Sequence, residues 1–272
     1  MMSEMYRNEK GQMVAPPTVP MTEKAYGDQD YVSVYWLGGG GAMINSCGTV
    51  LMIDPLMKGF DMPLLQQLPA QTETVPHVDG ILVSHVDNDH YSRPTLRDLK
   101  DRTDEVHTSY YVASLMKEEC GIPNAVGHTW HDELDIKNIH VTVTPADHNW
   151  QNAVAKYQYR VWEKEEYFGF YLRTEGKKIW YVGDSRLMEE QLHQEAPDLI
   201  LFDFADNPVH IGLADAYRLA NTYPDAKLLL IHWGTVDAPT SSAFNADPTV
   251  LMEHIVNPER ILVLAPGEEY RL

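Results

Sequence analysis

One stretch decides how the rest of the chain is interpreted: SHVDNDHYS at residues 84–92. It places two histidines and two aspartates within six positions, in the order His85-x-Asp87-x-Asp89-His90. The short apolar run before it, GILV at residues 80–83, predicts a buried strand. Because imidazoles and carboxylates add little to an apolar core, these residue types directly after a strand indicate a metal site or an active site.

Three further apolar runs end in a residue that can bind a metal. They are 139–144 before His148, 178–182 before Asp184, and 227–231 before His232. In layered α/β folds the carboxyl ends of the strands meet at one edge of the sheet, where ligands bind. We therefore expect these side chains to converge with those of residues 84–92. Imidazole and carboxylate ligands suit Zn, Mn or Fe, and a bridging carboxylate suits a pair of ions.

A hairpin whose second strand ends in an aspartate occurs twice, at Asp54 and at Asp184. Strands and helices alternate after each hairpin, which predicts two similar halves with strands inside and helices outside. We expect one α/β domain over residues 29–272. The polar, proline-bearing residues 1–28 predict an N-terminal arm that is extended or partly disordered.

Hydrophobic periodicity and turn residues predict the individual elements. The expected strands are 31–37, 42–45, 49–53, 80–83, 139–144, 167–173, 178–182, 199–202, 227–231 and, as the last strand, 260–264. The expected helices are a short one within 61–76, one that starts near Ser92, and those at 110–117, 188–195, 213–222 and 251–256. The glycines from Gly38 to Gly41 predict a tight turn or bulge, and the aromatic, charged residues 149–166 predict a long loop or lid.

The composition argues against several classes of protein. The 40 acidic and 21 basic residues give a formal charge of −19, which disfavours nucleic acid as a partner because phosphate backbones are repelled. The cysteines, Cys47 and Cys120, lie far apart, which favours a reducing compartment. No signal peptide is recognisable, and no run approaches the ~20 apolar residues of a membrane span. We expect a cytoplasmic protein that acts on a small molecule; a homo-oligomer stays open.

The order of these motifs resembles that of the metallo-β-lactamase superfamily. The chain has HxDxDH, a lone His, GDS and IHWGT, where that family has HxHxDH, His, Asp and His. The resemblance covers most of residues 31–272 and implies a four-layer αββα sandwich. WLGGGGAMI with TVLMIDP, the GDSR step, and IHWGT with the closing VLAPGEEYRL are similar to one branch. That branch contains ascorbate-6-phosphate lactonase and the N-acyl-phosphatidylethanolamine phospholipase.

The resemblance implies a ligand set for two divalent metal ions, Zn or Mn, with Fe as a further candidate. One ion is then held by His85, Asp87 and His148; the other is held by Asp89, His90 and His232, with Asp184 as the bridge. The departure from the family pattern is Asp87, which stands where the family has His. An oxygen ligand would shift the preference from Zn toward Mn or Fe. Whether Asp87 binds the metal or orients a ligand stays open.

The same resemblance implies a hydrolase in which a metal-bound hydroxide attacks a lactone, ester or phosphoester of a small metabolite. Asp89 is the expected catalytic residue, because its counterparts in the family hold the nucleophile or pass on its proton. Three residues are candidates for contacts with the substrate: Arg186, Tyr159 and His210. Each could instead have no role in binding: Arg186 could be a solvated charge, Tyr159 a packing residue, and His210 a surface or core histidine. The same is true of Asp54, which we interpret as structural.

Two other functions compete with hydrolysis. Di-iron oxygen reductases of the same superfamily also replace the histidine by an acid, usually Glu, but they carry an attached flavodoxin domain. A chain of 272 residues leaves little room for one. An incomplete first metal site would instead favour a non-catalytic metal-binding module. We expect the hydrolase.

Overall fold

Strands and short helices alternate along residues 5–272, the part of the chain that the computed structural model describes. The strands are β1 (Tyr6–Arg7), β2 (Met13–Val14), β3 (Val32–Gly38), β4 (Gly41–Ser46), β5 (Thr49–Ile53), β6 (Val78–Leu82), β7 (Thr103–Ser109), β8 (Val126–His128), β9 (Glu133–Ile136), β10 (Ile139–Pro145), β11 (Phe168–Thr174), β12 (Lys177–Tyr181), β13 (Leu199–Phe202), β14 (Lys227–Leu230), β15 (Ile261–Leu262) and β16 (Glu269–Arg271). The α-helices are α1 (Arg93–Leu99), α2 (Tyr110–Leu115), α3 (Leu213–Thr222) and α4 (Pro248–Met252).

Two mixed sheets of seven strands each form the body of the fold. The first has the order β16-β3-β4-β5-β6-β7-β8 and the second the order β9-β10-β11-β12-β13-β14-β15. In both sheets the first four strands pair antiparallel and the remaining pairs are parallel. The two halves therefore repeat one topology, and β5 in the first half occupies the place of β12 in the second. The predicted α/β sandwich with two similar halves is confirmed.

The first sheet is buried on both faces, because successive residues of β3 belong to two different cores. Val34 and Trp36 belong to the core between the sheets, and Tyr35 and Leu37 belong to the core under α1 and α2. Trp36 stacks on Trp233 with 6.1 Å between the ring centroids. A strand that is covered on both sides loses the alternation of apolar and polar residues, so its sequence is almost continuously apolar.

The helices cover the outer faces of the sheets. Ser92 caps α1 by accepting a hydrogen bond from the backbone N–H of Thr95, and Pro94 occupies the first turn. α3 buries Ala216, Leu219 and Ala220 in the core of the second half. In residues 5–272 no helix has both the length and the apolar character that crossing a bilayer requires.

The N-terminal arm lies against the domain over its described part, residues 5–28. β1 and β2 pair antiparallel, and Met13, Val14 and Ala15 are buried. The backbone N–H of Ala15 donates to the carbonyl of Gly234 at 2.9 Å, close to the strand end that carries His232. Residues 1–4 lie outside the described residues, and the domain boundary at residue 28 stays a prediction.

Several predicted elements are wrong. Residues 61–76 contain only a 3₁₀ turn at Thr72–Thr74, and residues 188–195 only one at Glu189–Leu192. The segment 260–264 is not the last strand, because β16 follows it and pairs with β3. β7 was not predicted because its first three residues, Thr103, Asp104 and Glu105, are polar and at least partly exposed, which removes the apolar pattern. The tight turn after β3 is present, with a register shift between Trp36 and Gly38.

Two glycines with the same backbone conformation provide a matched test of how the second sheet positions Asp184. Gly183 and Gly176 have φ of +77° and +71°, which side chains disfavour. A Cβ at Gly183 would lie 2.3 Å from the carbonyl oxygen of Phe168, whereas a Cβ at Gly176 would meet nothing within 4 Å. We expect Gly176→Ala to cost about 1 kcal/mol of unfolding free energy and Gly183→Ala about 3 kcal/mol. Denaturant unfolding measures both, and equal losses would contradict the clash.

Candidate metal centre

Seven candidate ligands lie at the carboxyl ends of four strands and are brought together at one edge of the sandwich. They are His85, Asp87, Asp89 and His90 after β6, His148 after β10, Asp184 after β12, and His232 after β14. The Oδ2 atom of Asp184 is at their centre. It lies 3.1 Å from Nε2 of His90, 3.5 Å from Nε2 of His232 and 3.9 Å from Nε2 of His148.

Two of the ligand groups in the cluster have the composition that the resemblance implies, and two overlapping sets, His85 with His90 and Asp184, and Asp184 with Asp203, His210 and His232, lie equally close together. In the first group, Oδ2 of Asp87 lies 3.5 Å from Nε2 of both His85 and His148. In the second group, Oδ2 of Asp89 lies 3.2 Å from Nε2 of His232 and 3.7 Å from Nε2 of His90. Within each group the ligand atoms are all within 4.8 Å of one another, so each group could hold a metal ion.

Each of the four histidines is oriented through its Nδ1 atom. The acceptors are Oδ2 of Asp54 for His90 at 2.8 Å, the carbonyl of Val209 for His148 at 2.6 Å, the carbonyl of Ala243 for His232 at 3.2 Å, and Oγ of Ser84 for His85 at 2.9 Å. A proton on Nδ1 leaves the lone pair of a neutral imidazole on Nε2. All four Nε2 atoms are therefore available to a metal, in the arrangement that outer hydrogen bonds give to metal-binding histidines.

Asp54, which the sequence indicates only as structural, positions His90. Its carboxylate accepts hydrogen bonds from the backbone N–H of Ser84 at 2.7 Å, the Ser84 hydroxyl at 2.5 Å and the Tyr181 hydroxyl at 2.7 Å. Because Ser84 donates its hydroxyl proton to Asp54, its Oγ is free to accept from His85. One buried carboxylate thus fixes the orientation of two candidate ligands.

The residues fit a bound metal. Nε2 of His85 and Nε2 of His90 are buried and make no well-aligned hydrogen bond among residues 5–272, although Nε2 of His90 lies 3.1 Å from Oδ2 of Asp184. A buried polar atom without a partner is costly by about 1–3 kcal/mol, and coordination to a metal would remove that cost. The donors are imidazole nitrogens and carboxylate oxygens, which suit Zn, Mn and Fe.

Asp87 is held by two residues that sequence reasoning missed. Its Oδ2 accepts from Nε1 of Trp150 at 2.7 Å, and its Oδ1 accepts from Nε2 of Gln151 at 2.6 Å. Gln151 is itself buried, and its Oε1 accepts from the Tyr167 hydroxyl at 2.6 Å. Each carboxylate oxygen has a second lone pair, so these bonds fix the Asp87 carboxylate without preventing it from binding a metal. The only signal in the sequence was the position of Trp150 and Gln151 directly after His148.

The ionised states of the cluster depend on its internal charges. Burial alone would raise the pKa of Asp184, but the charges of His232, His90 and His210 outweigh it and hold that pKa well below the usual range. Burial alone would lower the pKa of His232, but Asp184 and Asp89 raise it to about 9. The pKa values of His90 and His148 are raised as well, whereas that of His85 is lowered by burial. Without metal, protons on the three imidazoles with raised pKa therefore balance the carboxylates, and a metal would replace those protons.

The three candidate substrate residues lie in different surroundings. His210 is buried beside the cluster, with Nδ1 2.6 Å from Oδ2 of Asp203 and 3.8 Å from Oδ2 of Asp184. Tyr159 is 68% exposed at the cavity above the cluster. Arg186 does not line that cavity, and its guanidinium bonds to the carbonyl of Pro208 at 3.0 Å and to Asp147 at 3.1 Å. Arg186 is therefore not placed to contact a molecule in this cavity.

The cavity above the cluster has a volume of about 460 Å³. Its floor contains five of the candidate ligands, Asp87, Asp89, His148, Asp184 and His232, together with His210. Residues 149–166, the predicted loop or lid, contain 3₁₀ turns at Trp150–Ala153, Ala155–Tyr157 and Lys164–Glu166 and contribute one wall. A small molecule in this cavity would contact both ligand groups.

Known proteins share this fold and parts of this sequence. The Beta-lactamase superfamily domain matches residues 49–233. A UPF0173 metal-dependent hydrolase from Pyrococcus abyssi is 22% identical over 252 residues, which cover 89% of this chain and 100% of the relative. Igni18, a metallo hydrolase from Ignicoccus hospitalis, superposes with a TM-score of 0.67 at 16% identity over 89% of this chain and 98% of its own. An isothiocyanate hydrolase from Delia radicum gut bacteria gives a TM-score of 0.70 at 18% identity over 88% and 100%.

We expect metal uptake and stability of the metal-free protein to depend oppositely on pH. Because the folded-state pKa of His232 is raised from 6.5 to about 9, its ion pairs stabilise the metal-free fold below pH 6.5. That stabilisation is lost as the pH rises through about 9, so the Tm of chelator-treated protein should fall over this window. Metal affinity should rise over the same window, because metal and proton compete for Nε2. Calorimetry and metal titration measure both, and a constant Tm would contradict the prediction.

The hydrogen bonds to Asp87 should support the first ligand group. Trp150→Phe removes the indole donor, and Gln151→Leu removes the amide donor. We expect each variant to weaken the first metal about 10- to 100-fold, the usual effect of losing such an outer bond, in a titration with a competing chelator. Trp130→Phe is the control, because it removes an indole donor that bonds only the carbonyl of Tyr167 at 2.9 Å. Equal losses in all three variants would indicate a general effect on the fold.

Proposed function

The chain belongs to the β-lactamase superfamily, and on that premise we propose that it is a metal-dependent hydrolase with a two-metal centre. The observation that carries the proposal is the position of the Asp184 carboxylate. It lies within 3.9 Å of Nε2 of three histidines that come from both ligand groups. A carboxylate in that position is suited to bridge two ions. The curated relative named as a metal-dependent hydrolase supports the same activity.

In this proposal His85, Asp87 and His148 would hold one ion, Asp89, His90 and His232 would hold the other, and Asp184 would serve both. Two such ions, when bound, supply an activated water at neutral pH and polarise the substrate oxygen. Zn and Mn both suit the donor set, and the oxygen of Asp87 shifts the preference toward Mn or Fe. The number and identity of the ions are part of the proposal.

The protein side chains orient the water and move its proton. Asp89 lies at the floor of the cavity with Oδ2 3.2 Å from His232, which leaves Oδ1 to accept a hydrogen bond from the attacking water. Asp89 therefore serves as the catalytic residue that receives the proton. His210 lines the same cavity and is held by Asp203, so it is placed to contact the substrate.

The substrate in this proposal is a lactone, ester or phosphoester of a small cytoplasmic metabolite. The motifs that resemble ascorbate-6-phosphate lactonase and the N-acyl-phosphatidylethanolamine phospholipase support such an acyl or phosphoryl substrate. A hydroxide can attack either centre, because a two-metal site stabilises the charge that develops on a carbonyl or phosphoryl oxygen.

A di-iron redox protein is the second candidate, and Asp87 is the observation that favours it. An oxygen ligand in the first group suits Fe better than a third imidazole would. Metal analysis separates the two candidates, since a redox protein should be purified with mostly iron and should consume oxygen with a reductant. A site with about one ion that is unchanged in Asp87→Ala would instead support a non-catalytic module.

The test is metal content by inductively coupled plasma mass spectrometry together with hydrolysis of phenyl acetate. We expect about two ions per chain in the wild type, and in His85→Ala the loss of one ion with at least a hundredfold fall in rate. His193→Ala is the control, because its side chain is 71% exposed outside the cluster. His85→Ala protein that keeps both its metal and its activity would overturn the proposal.

A further inference from the structure

The cavity also indicates what kind of molecule it accepts. Building on the proposed function, we infer that the substrate is an uncharged molecule whose reactive carbonyl-type carbon is attached to an aromatic or flat apolar group. A phosphorylated or otherwise anionic metabolite is the alternative that this inference disfavours. Three features support it: an aromatic wall that reaches both ligand groups, the use of both indole N–H groups of the wall within the protein, and the charges around the cavity.

The wall consists of five aromatic side chains: Trp150, Tyr157, Tyr159, Trp162 and Phe244. Trp150 meets Tyr157 edge to face at 5.2 Å, and Tyr159 meets Trp162 edge to face at 5.8 Å. These are favourable geometries for aromatic pairs. A flat group that enters the cavity is therefore surrounded by rings whose positions are already set.

The wall reaches both ligand groups directly. Trp150 bonds Asp87 of the first group, and the ring of Phe244 stacks on His232 of the second group at 5.0 Å. An apolar group that packs on these rings would therefore place its attached atoms beside the candidate metals. Positioning by packing of this kind contributes to rate by fixing the reacting atoms.

The indoles offer ring surface rather than polar contacts. Nε1 of Trp150 donates to Asp87, and Nε1 of Trp162 donates to the carbonyl of Tyr157 at 2.9 Å. Trp162 is only 3% exposed, so its position is fixed by packing. Because both indole N–H groups are used within the protein, the indoles offer a ligand no polar contact, and the partly exposed ring of Trp150 supplies apolar area, worth about 25 cal/mol per Å² buried.

The charges around the cavity do not favour an anion. Among the described residues that line it, Arg93 is the only lysine or arginine, and its guanidinium pairs with Glu119 and lies 4.6 Å from the Tyr91 ring centroid. Four carboxylates line the same cavity: Asp61, Asp87, Asp89 and Asp184. Two divalent ions would be balanced by these four groups, so little positive charge is left to attract a phosphate.

Three cations lie within residues 149–166, and none of them lines the cavity. Lys156 lies over the ring of Tyr157, with Nζ 5.0 Å from its centroid. Arg160 packs on Tyr111 at 3.7 Å and pairs with Glu166 at 2.5 Å. Lys164 pairs with Asp147 at 3.0 Å. Recognition of phosphate normally uses arginine or lysine side chains that are free to bond its oxygens. Cations paired in this way are poor candidates for a phosphate clamp.

The first experiment measures binding to the metal-loaded protein with three probes that share one amide end: phenylacetamide, its 4-carboxylate and its 4-aminomethyl derivative. Direct contact of the amide with the metals is therefore constant, and the two substituted probes are of similar size and opposite charge. By calorimetric titration we expect phenylacetamide to bind about tenfold more tightly than the carboxylate. The carboxylate or the ammonium probe binding as tightly as phenylacetamide would overturn the inference.

Two variants outside the ligand set test separately the contribution of the aromatic wall and that of the charge around the cavity. Tyr159→Ser should weaken phenylacetamide about fivefold, because one aromatic contact is lost. Tyr110→Ser is the matched control, since Tyr110 is 67% exposed, Tyr159 is 68% exposed, and only Tyr159 lines the cavity. Asp61→Lys should strengthen the carboxylate probe about threefold and leave phenylacetamide unchanged. No change in Tyr159→Ser and Asp61→Lys would overturn the inference.

Hydrolysis of phenyl acetate and of its 4-carboxylate separates a failure of this inference from a failure of the proposed function. Turnover that prefers the carboxylated ester would leave the hydrolase standing and overturn the uncharged substrate. Metal-loaded protein that binds the probes in the expected order and hydrolyses neither ester would count against the proposed hydrolase alone. We expect turnover of both, with phenyl acetate favoured about tenfold in kcat/KM.

Discussion

The structure depends on one buried imidazole that lies between two carboxylates. Nδ1 of His90 is 2.8 Å from Asp54, and its Nε2 is 3.1 Å from Asp184. Asp54 follows β5 and Asp184 lies just beyond β12, which are equivalent strands of the two halves. The repeated topology therefore delivers one carboxylate from each half to the same ring. The two carboxylates have different roles, since Asp54 orients the imidazole and Asp184 faces the space in which a metal would bind. Burying so many charges is costly, by several kcal/mol for each ion, unless each has a partner of opposite charge.

The sequence was sufficient for the elements whose signal is local. His85, His90, Asp184 and His232 each come after an apolar run, and strands of one layered fold end at one edge, so their convergence follows from periodicity alone. The strands β7 and β16 are not predicted because each contains polar residues that are at least partly exposed, which removes the apolar pattern. The contacts of Asp87 with Trp150 and of Asp54 with His90 could not be predicted, because they join residues far apart in sequence. Such pairings are decided by which strands are neighbours and by how the loops fold above them.

Some residues around the cluster orient the candidate ligands, and others line the cavity that would receive the substrate. Hydrogen bonds at Nδ1 fix the histidines, and the bonds from Trp150 and Gln151 fix Asp87. Trp150 also belongs to the aromatic wall, so one side chain serves the ligand set through its N–H and the cavity through its ring. The wall and the proposed metal centre are therefore mechanically linked. A change in the loop that alters the shape of the cavity would also alter the support of the first ligand group.

The candidate ligands are spread along the chain, and this has a consequence for biosynthesis. Residues 85–90 leave the ribosome long before His232, and β14, which ends just ahead of His232, needs β13 already in place to pair with. Four of the seven candidate ligands, His85, Asp87, Asp89 and His90, are therefore present on a nascent chain that cannot yet enclose an ion. A metal captured at that stage would be weakly held and exchangeable. Selection of a metal would consequently wait until the second half has folded, so the metal supply at the completion of folding, rather than during translation, would decide which ion is held.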